Sequence, residues 1–95
     1  MQFDGNQAQD TAEVIKLNKL GLDSRFTSPE QTISYAEKAM AIAKRIGYKA
    51  GIGESYRVMG IGKFYSNQSQ KAIDDYLTAL DYFKQVNDLR SEAKI

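Results

Sequence analysis

The chain has no cysteine and no histidine. That excludes disulfides, thiolate chemistry, zinc sites built on Cys or His, and every Ser-His or Cys-His nucleophile. Cysteine absence does not fix a compartment, since cytosol and periplasm both tolerate it. Proline occurs once, at Pro29. Strict apolar/polar alternation is scarce as well, so strand signals are weak. No run approaches the roughly eighteen apolar residues that a membrane-spanning helix needs. The start, "MQFDGNQAQD", has neither a basic n-region nor an apolar h-region, so it does not read as a signal peptide. There is no strong excess of one charge. Thirteen basic and twelve acidic residues nearly cancel, which argues against a general nucleic-acid or membrane-surface binder.

What is present is helical spacing over 95 residues, enough for one small domain or part of a larger one. "SPEQTISYAEKAMAIAKRIG" places Ile33, Ala36, Ala39, Met40, Ala43 and Ile46 on one face. "KAIDDYLTALDYFKQVN" does the same with Ile73, Tyr76, Ala79, Leu80, Phe83 and Val86. Both follow the i, i+3, i+4, i+7 rule of an amphipathic helix. The second set is the first shifted by forty, from Ile33 to Ile73 through Ile46 to Val86. At the same offset Gly47 falls on Asn87. Gly and Asn best tolerate the left-handed conformation that ends a helix, so both read as stops. Ser28 reads as an N-cap, with Pro29 in the first turn and Gln31 completing an S-x-x-Q box. For the later helix, Asn67 with Gln70, or Ser69, are the cap candidates.

Each of these helices follows another. Val14, Leu17, Leu20 and Gly21 pattern a helix over about 10–26. Ile52, Tyr56, Met59, Gly60, Ile61 and Phe64 pattern one over about 49–66. The expected plan is helix, turn, helix, twice. Repeat 1 covers about 10–47 and repeat 2 about 48–87. A third begins at "LRSEAKI" in 88–95, and 1–9 form a loose N-terminal segment.

These residues resemble the tetratricopeptide repeat. In "SYRVMGIGKFYSNQSQKAIDDYLTALDYF" an aromatic, Tyr56, leads a large-plus-small pair, Met59-Gly60. After a connector come Ala72, the aromatic Tyr76 and the small Ala79. "NKLGLDSRFTSPEQTISYAEKAMAIAKRIGYKAG" is similar, with Leu20-Gly21 leading, Thr32 in place of the alanine and a connector one residue shorter. The family's usual period is about 34 residues, whereas forty separate the patterns here. Lys63 also stands where an aromatic is usual, and the proline that often ends the second helix is missing. The long period resembles variants found in bacterial regulators, including sensor regions of histidine kinases and transcription regulators. HEAT-type repeats share the period but usually lack the Gly/Ala pairing. The resemblance implies an all-α superhelix of stacked antiparallel helix pairs with protein or peptide binding on the concave side. No carboxylate is paired with a matched base for catalysis, and the expectation is a protein or peptide partner with no cofactor, no metal, no nucleic acid and no membrane insertion in this segment.

The glycines around "RVMGIGKFYS" invite a phosphate-loop reading, which fails on register. With Gly62-Lys63 as the G-K pair, Arg57 stands where the leading glycine belongs and Phe64 where the hydroxyl belongs. Gly60 is instead expected where two helices approach closely, and Gly62 has no such explanation in the sequence. If the resemblance holds, the concave face carries Ile15, Asn18, Leu22, Arg25 and Phe26 from the first helix. From the third it carries Glu54, Arg57, Ile61, Phe64 and Tyr65. Apolar, aromatic and arginine side chains together suit an interaction surface. Lys63 and Asn67 face the connector in this register and do not form a carboxylate clamp. Asp74, Asp75 and Asp81 read as a solvated face. Two repeats are short for a continuous core, so self-association through the first or the third A-type helix is expected. Two alternatives stay open: a structural spacer or oligomerisation module without a groove ligand, and a small-molecule or nucleotide-binding helical domain.

Overall fold

The computed structural model describes residues 3–94, with the side chains of residues 8–87. It consists of four helices: α1 (Phe3–Asp23), α2 (Pro29–Arg45), α3 (Lys49–Tyr65) and α4 (Ser69–Lys94). There is no strand among the described residues. The all-α expectation therefore holds. Helix α1 starts at Phe3, within the segment expected to be loose, and stops at Asp23. Arg25 and Phe26 consequently lie in the following turn rather than on the helix.

Local chemistry accounts for the ends. Ser28 caps α2, its Oγ accepting from Gln31 N–H at 3.4 Å, with Pro29 in the first turn. Lys44 and Arg45 occupy the last turn, where cations suit the helix dipole. Gly47 then adopts φ +68°. The amides of Gly47 and Tyr48 donate back to Lys44 O and Ala43 O, the paired bonds of a Schellman stop. The same stop recurs after α3. Asn67 takes φ +65°, and Asn67 and Gln68 donate to Phe64 O and Lys63 O. The second left-handed residue is thus Asn67, not Asn87.

Helix α4 runs without a break through Asn87 to Lys94, so the expected turn there and the separate third helix are absent. Asn tolerates the left-handed region but does not impose it, and no glycine or proline follows to break the helix. The side chains of residues 88–95 lie outside the described residues.

Helix α3 sits in the middle, against α4 on one side, α2 on the other, and α1 along part of its length. Among the described residues α4 packs on α3 alone. One apolar cluster joins Val14, Leu17, Ala39, Ala43 and Ile52, and a second joins Ala36, Met40, Val58 and Met59. Tyr56 packs against both.

The glycines of α3 make this central position possible. A Cβ on Gly60 would stand 2.7 Å from Tyr76 Cε1 and 3.2 Å from Ala72 O, both on α4. A Cβ on Gly62 would stand 2.8 Å from Ile33 Cγ1 and 3.0 Å from Pro29 O, both on α2. Gly60 is the close approach expected within the second helix pair. Gly62 is the close approach between the two pairs.

Candidate functional site

A cleft of about 300 Å³ lies between α1 and the start of α3. Val14, Ile15 and Leu22 of α1, Tyr48 just before α3, and Ala50 and Gly51 of α3 give it apolar walls. Lys19 of α1 and Glu54 of α3 supply charges, and Asn18 also lines the cleft. Asn18 is buried, only 2% exposed. Its amide donates to Ser55 Oγ at 3.1 Å, and Ser55 Oγ donates to Gly51 O at 2.9 Å. The Asn18 carbonyl has no hydrogen-bond partner among the described residues. A buried amide oxygen left single in this way costs free energy on the order of 1–3 kcal/mol.

Ile15, Asn18, Leu22 and Glu54 therefore meet in one cleft. Arg57 does not join them. It donates through Nε and Nη2 to the Glu54 carboxylate, at 3.0 and 2.7 Å. These bonds raise its pKa further and keep it charged. Its side chain lines a different recess, between α3 and α4, with Tyr76, Ala79, Leu80 and Phe83. Burial pushes the Tyr76 phenol up there, with the nearby Tyr65 adding to the shift. Ile61 is half-buried.

Arg25, Phe26, Phe64 and Tyr65 form a third group, at the end where the α1–α2 turn meets the last turn of α3. The Phe26 and Tyr65 rings meet edge-on at 5.2 Å, as do Phe64 and Tyr65. The Arg25 guanidinium lies 4.5 Å over Phe26. Its Nη1 donates to Leu22 O at 2.6 Å, which fixes that pose. All three rings are exposed.

One expectation about charge is corrected. Asp74 and Asp81 are solvated, but Asp75 is not. Its Oδ2 stands 2.8 Å from Lys63 Nζ, with both side chains largely shielded. The contact is an ion pair without hydrogen-bond alignment. Lys63 thus ties the end of α3 to α4 instead of pointing idly at the connector. Sequence spacing could not reveal this pair, because it depends on the angle at which α4 crosses α3. The Asn18–Ser55 bond is likewise invisible in periodicity, although a polar residue inside each apolar stripe was a signal. Among the described residues no group of three or more acidic side chains is placed to hold a metal ion. Among the described residues no helix is long and apolar enough to cross a membrane.

The chain matches no protein-family model, and no curated protein or solved structure is significantly similar to it. The class its architecture defines is an all-α array of four helices.

Proposed function

We propose that the chain is a peptide-binding helical-repeat module, with the α1/α3 face as the binding surface. The observation that carries this reading is the cleft of about 300 Å³ between α1 and the start of α3, with mostly apolar walls and the charges of Lys19 and Glu54 at its sides. An extended peptide offers what such a cleft lacks, namely apolar side chains for Ile15 and Leu22 and charged or polar groups for Lys19 and Glu54. The exposed Phe26, Tyr65 and Phe64 group with Arg25 extends the surface at one end, with residue types common at binding hot spots.

The tetratricopeptide resemblance supports the same reading, as does the recurrence of one helix–stop–helix junction at Gly47 and Asn67. In this view the helix pairs stack as a short superhelix. The role is binding rather than catalysis, as the interaction region of a larger bacterial signalling or transcription regulator.

Selection of a displayed random-peptide library on the immobilised chain tests the reading. Enriched peptides should lose binding to Ile15→Glu and to Tyr65→Ala while the helical signal of both variants stays intact. Failure to enrich any peptide, or peptides indifferent to both changes, would favour the spacer reading instead.

A further inference from the structure

The turn between α1 and α2 holds a cation in place and gives it no counter-charge. Arg25 Nη1 donates to Leu22 O at 2.6 Å, and the guanidinium lies 4.5 Å over the Phe26 ring. Among the described residues Arg25 makes no ion pair. Asp10, Glu54 and Asp75 are taken by Arg45, Arg57 and Lys63, and the exposed Asp23, two residues away, does not reach it. A guanidinium carries five N–H donors. Only one is engaged here, so most of the fork is open to an acceptor. Its surroundings are apolar. The Phe26 ring meets Tyr65, and Tyr65 meets Phe64. These three rings stand 68%, 43% and 52% exposed. A partner that covered them would dry the cation and strengthen any bond to it. Leu22, whose carbonyl holds Arg25, turns its side chain into the α1/α3 cleft. The cation therefore stands at the Leu22 end of that cleft.

Resting on the peptide-binding reading of the cleft, we infer that Arg25 selects an acidic side chain, Asp or Glu, in the bound peptide, with an apolar neighbour of that acid seated on the rings. Carboxylate is the acceptor that matches the guanidinium fork with two parallel bonds. The spacing follows from the helix. Ile15 and Leu22 are two turns apart, about 10 Å along α1. A peptide running along α1, extended at about 3.3 Å per residue, covers that distance in about three residues. Its acid then falls about three to five positions from the side chain seated on Ile15. Single-stranded nucleic acid fits less well. It needs a row of cations along its backbone and ring faces for its bases. Here the rings meet edge-on, and Arg57 and Lys63 are already neutralised. A net charge of +1 supplies no wider basic field.

Selection from a displayed library of random dodecapeptides, fused to the display protein through their C-termini, tests this on two baits. One is the intact chain and the other its Arg25→Glu variant, matched by circular dichroism. On the intact chain, enriched peptides should carry Asp or Glu at one position, about three to five from an apolar residue. On Arg25→Glu that position should turn to Lys or Arg. Synthetic C-terminally amidated peptides from the first pool should bind about 10-fold or more weaker when the acid becomes its amide. The same change should have no effect on binding to Arg25→Gln, an outcome that a merely structural Arg25 would not produce; this comparison decides if Arg25→Glu does not fold. Enriched peptides without the acid, or with an acid indifferent to Arg25, would overturn the selectivity and leave the cleft a peptide site. If no peptide enriches, both readings fall. Binding of a twelve-nucleotide oligothymidylate that Arg25→Glu abolishes would overturn the inference in favour of nucleic acid. Self-association abolished by the same change would assign the patch to a second copy instead.

Discussion

Gly62→Ala should lower the stability of this protein, although helix propensity alone predicts the reverse. Glycine inside a helix costs about 1 kcal/mol relative to alanine, so an alanine in open space at this position would stabilise α3. The added Cβ would not be in open space. It would stand 2.8 Å from Ile33 Cγ1, 3.0 Å from Pro29 O and 3.1 Å from Thr32 Cγ2. None of these is the free end of a flexible side chain. Pro29 O belongs to the first turn of α2, held by the Ser28 cap. Thr32 is itself anchored, its Oγ1 donating to Gly21 O at 2.7 Å. Relief therefore requires α2 and α3 to separate. Overpacking of this kind costs about 1–3 kcal/mol. Subtracting the propensity gain leaves a net loss of roughly 1 kcal/mol, or about 4–8 °C in Tm for a domain of this size. Thermal unfolding followed by circular dichroism at one fixed protein concentration measures it, since any dimer makes Tm concentration-dependent. A rise in Tm would refute the argument and show that the α2–α3 contact relaxes freely.

Three further outcomes follow from the same geometry. Asn67→Gly should raise stability by a few tenths of a kcal/mol up to about 1, because glycine meets the φ of +65° without the Cβ penalty; urea unfolding reads this. Gly60→Leu should cost more than about 2 kcal/mol, since even a Cβ would press on Tyr76 at 2.7 Å; an unchanged melting point would mean that the second helix pair packs differently. Lys63→Ala should destabilise by about 1–3 kcal/mol by leaving Asp75 shielded and unpaired, while Lys63→Met with Asp75→Leu should recover most of the loss; comparing the two urea midpoints decides it.

Much of this fold was readable in the chain because helix periodicity is local. The buried face of α2 follows the spacing at Ala36, Ala39, Met40 and Ala43. The same spacing on α4 predicted burial for Ile73 and Leu80, and both are exposed. Periodicity says which face is apolar, not whether anything covers it. Asn87 misled for a related reason, since tolerance of a left-handed turn was read as the presence of one. Gly62 had no account in sequence because its reason lies on α2, thirty residues away at Thr32. The candidate face separated in space. Glu54 and Arg57, three residues apart, line different recesses because their helix has neighbours on both sides.

Among the described residues helix α3 touches all three other helices, whereas α4 touches only α3. The array therefore has a hierarchy of opening. Helix α4 can detach by losing one interface, with the Tyr76 and Phe83 rings leaving the notches at Gly60 and Gly53. Detaching α3 requires breaking every interface that it makes. In native-state hydrogen exchange, amides in the middle of α4 should exchange through a partial opening with a lower free energy than those around Val58. The same asymmetry bears on mechanical load. A pull on α4 would peel the chain from that end, and the α1–α2–α3 unit would yield last.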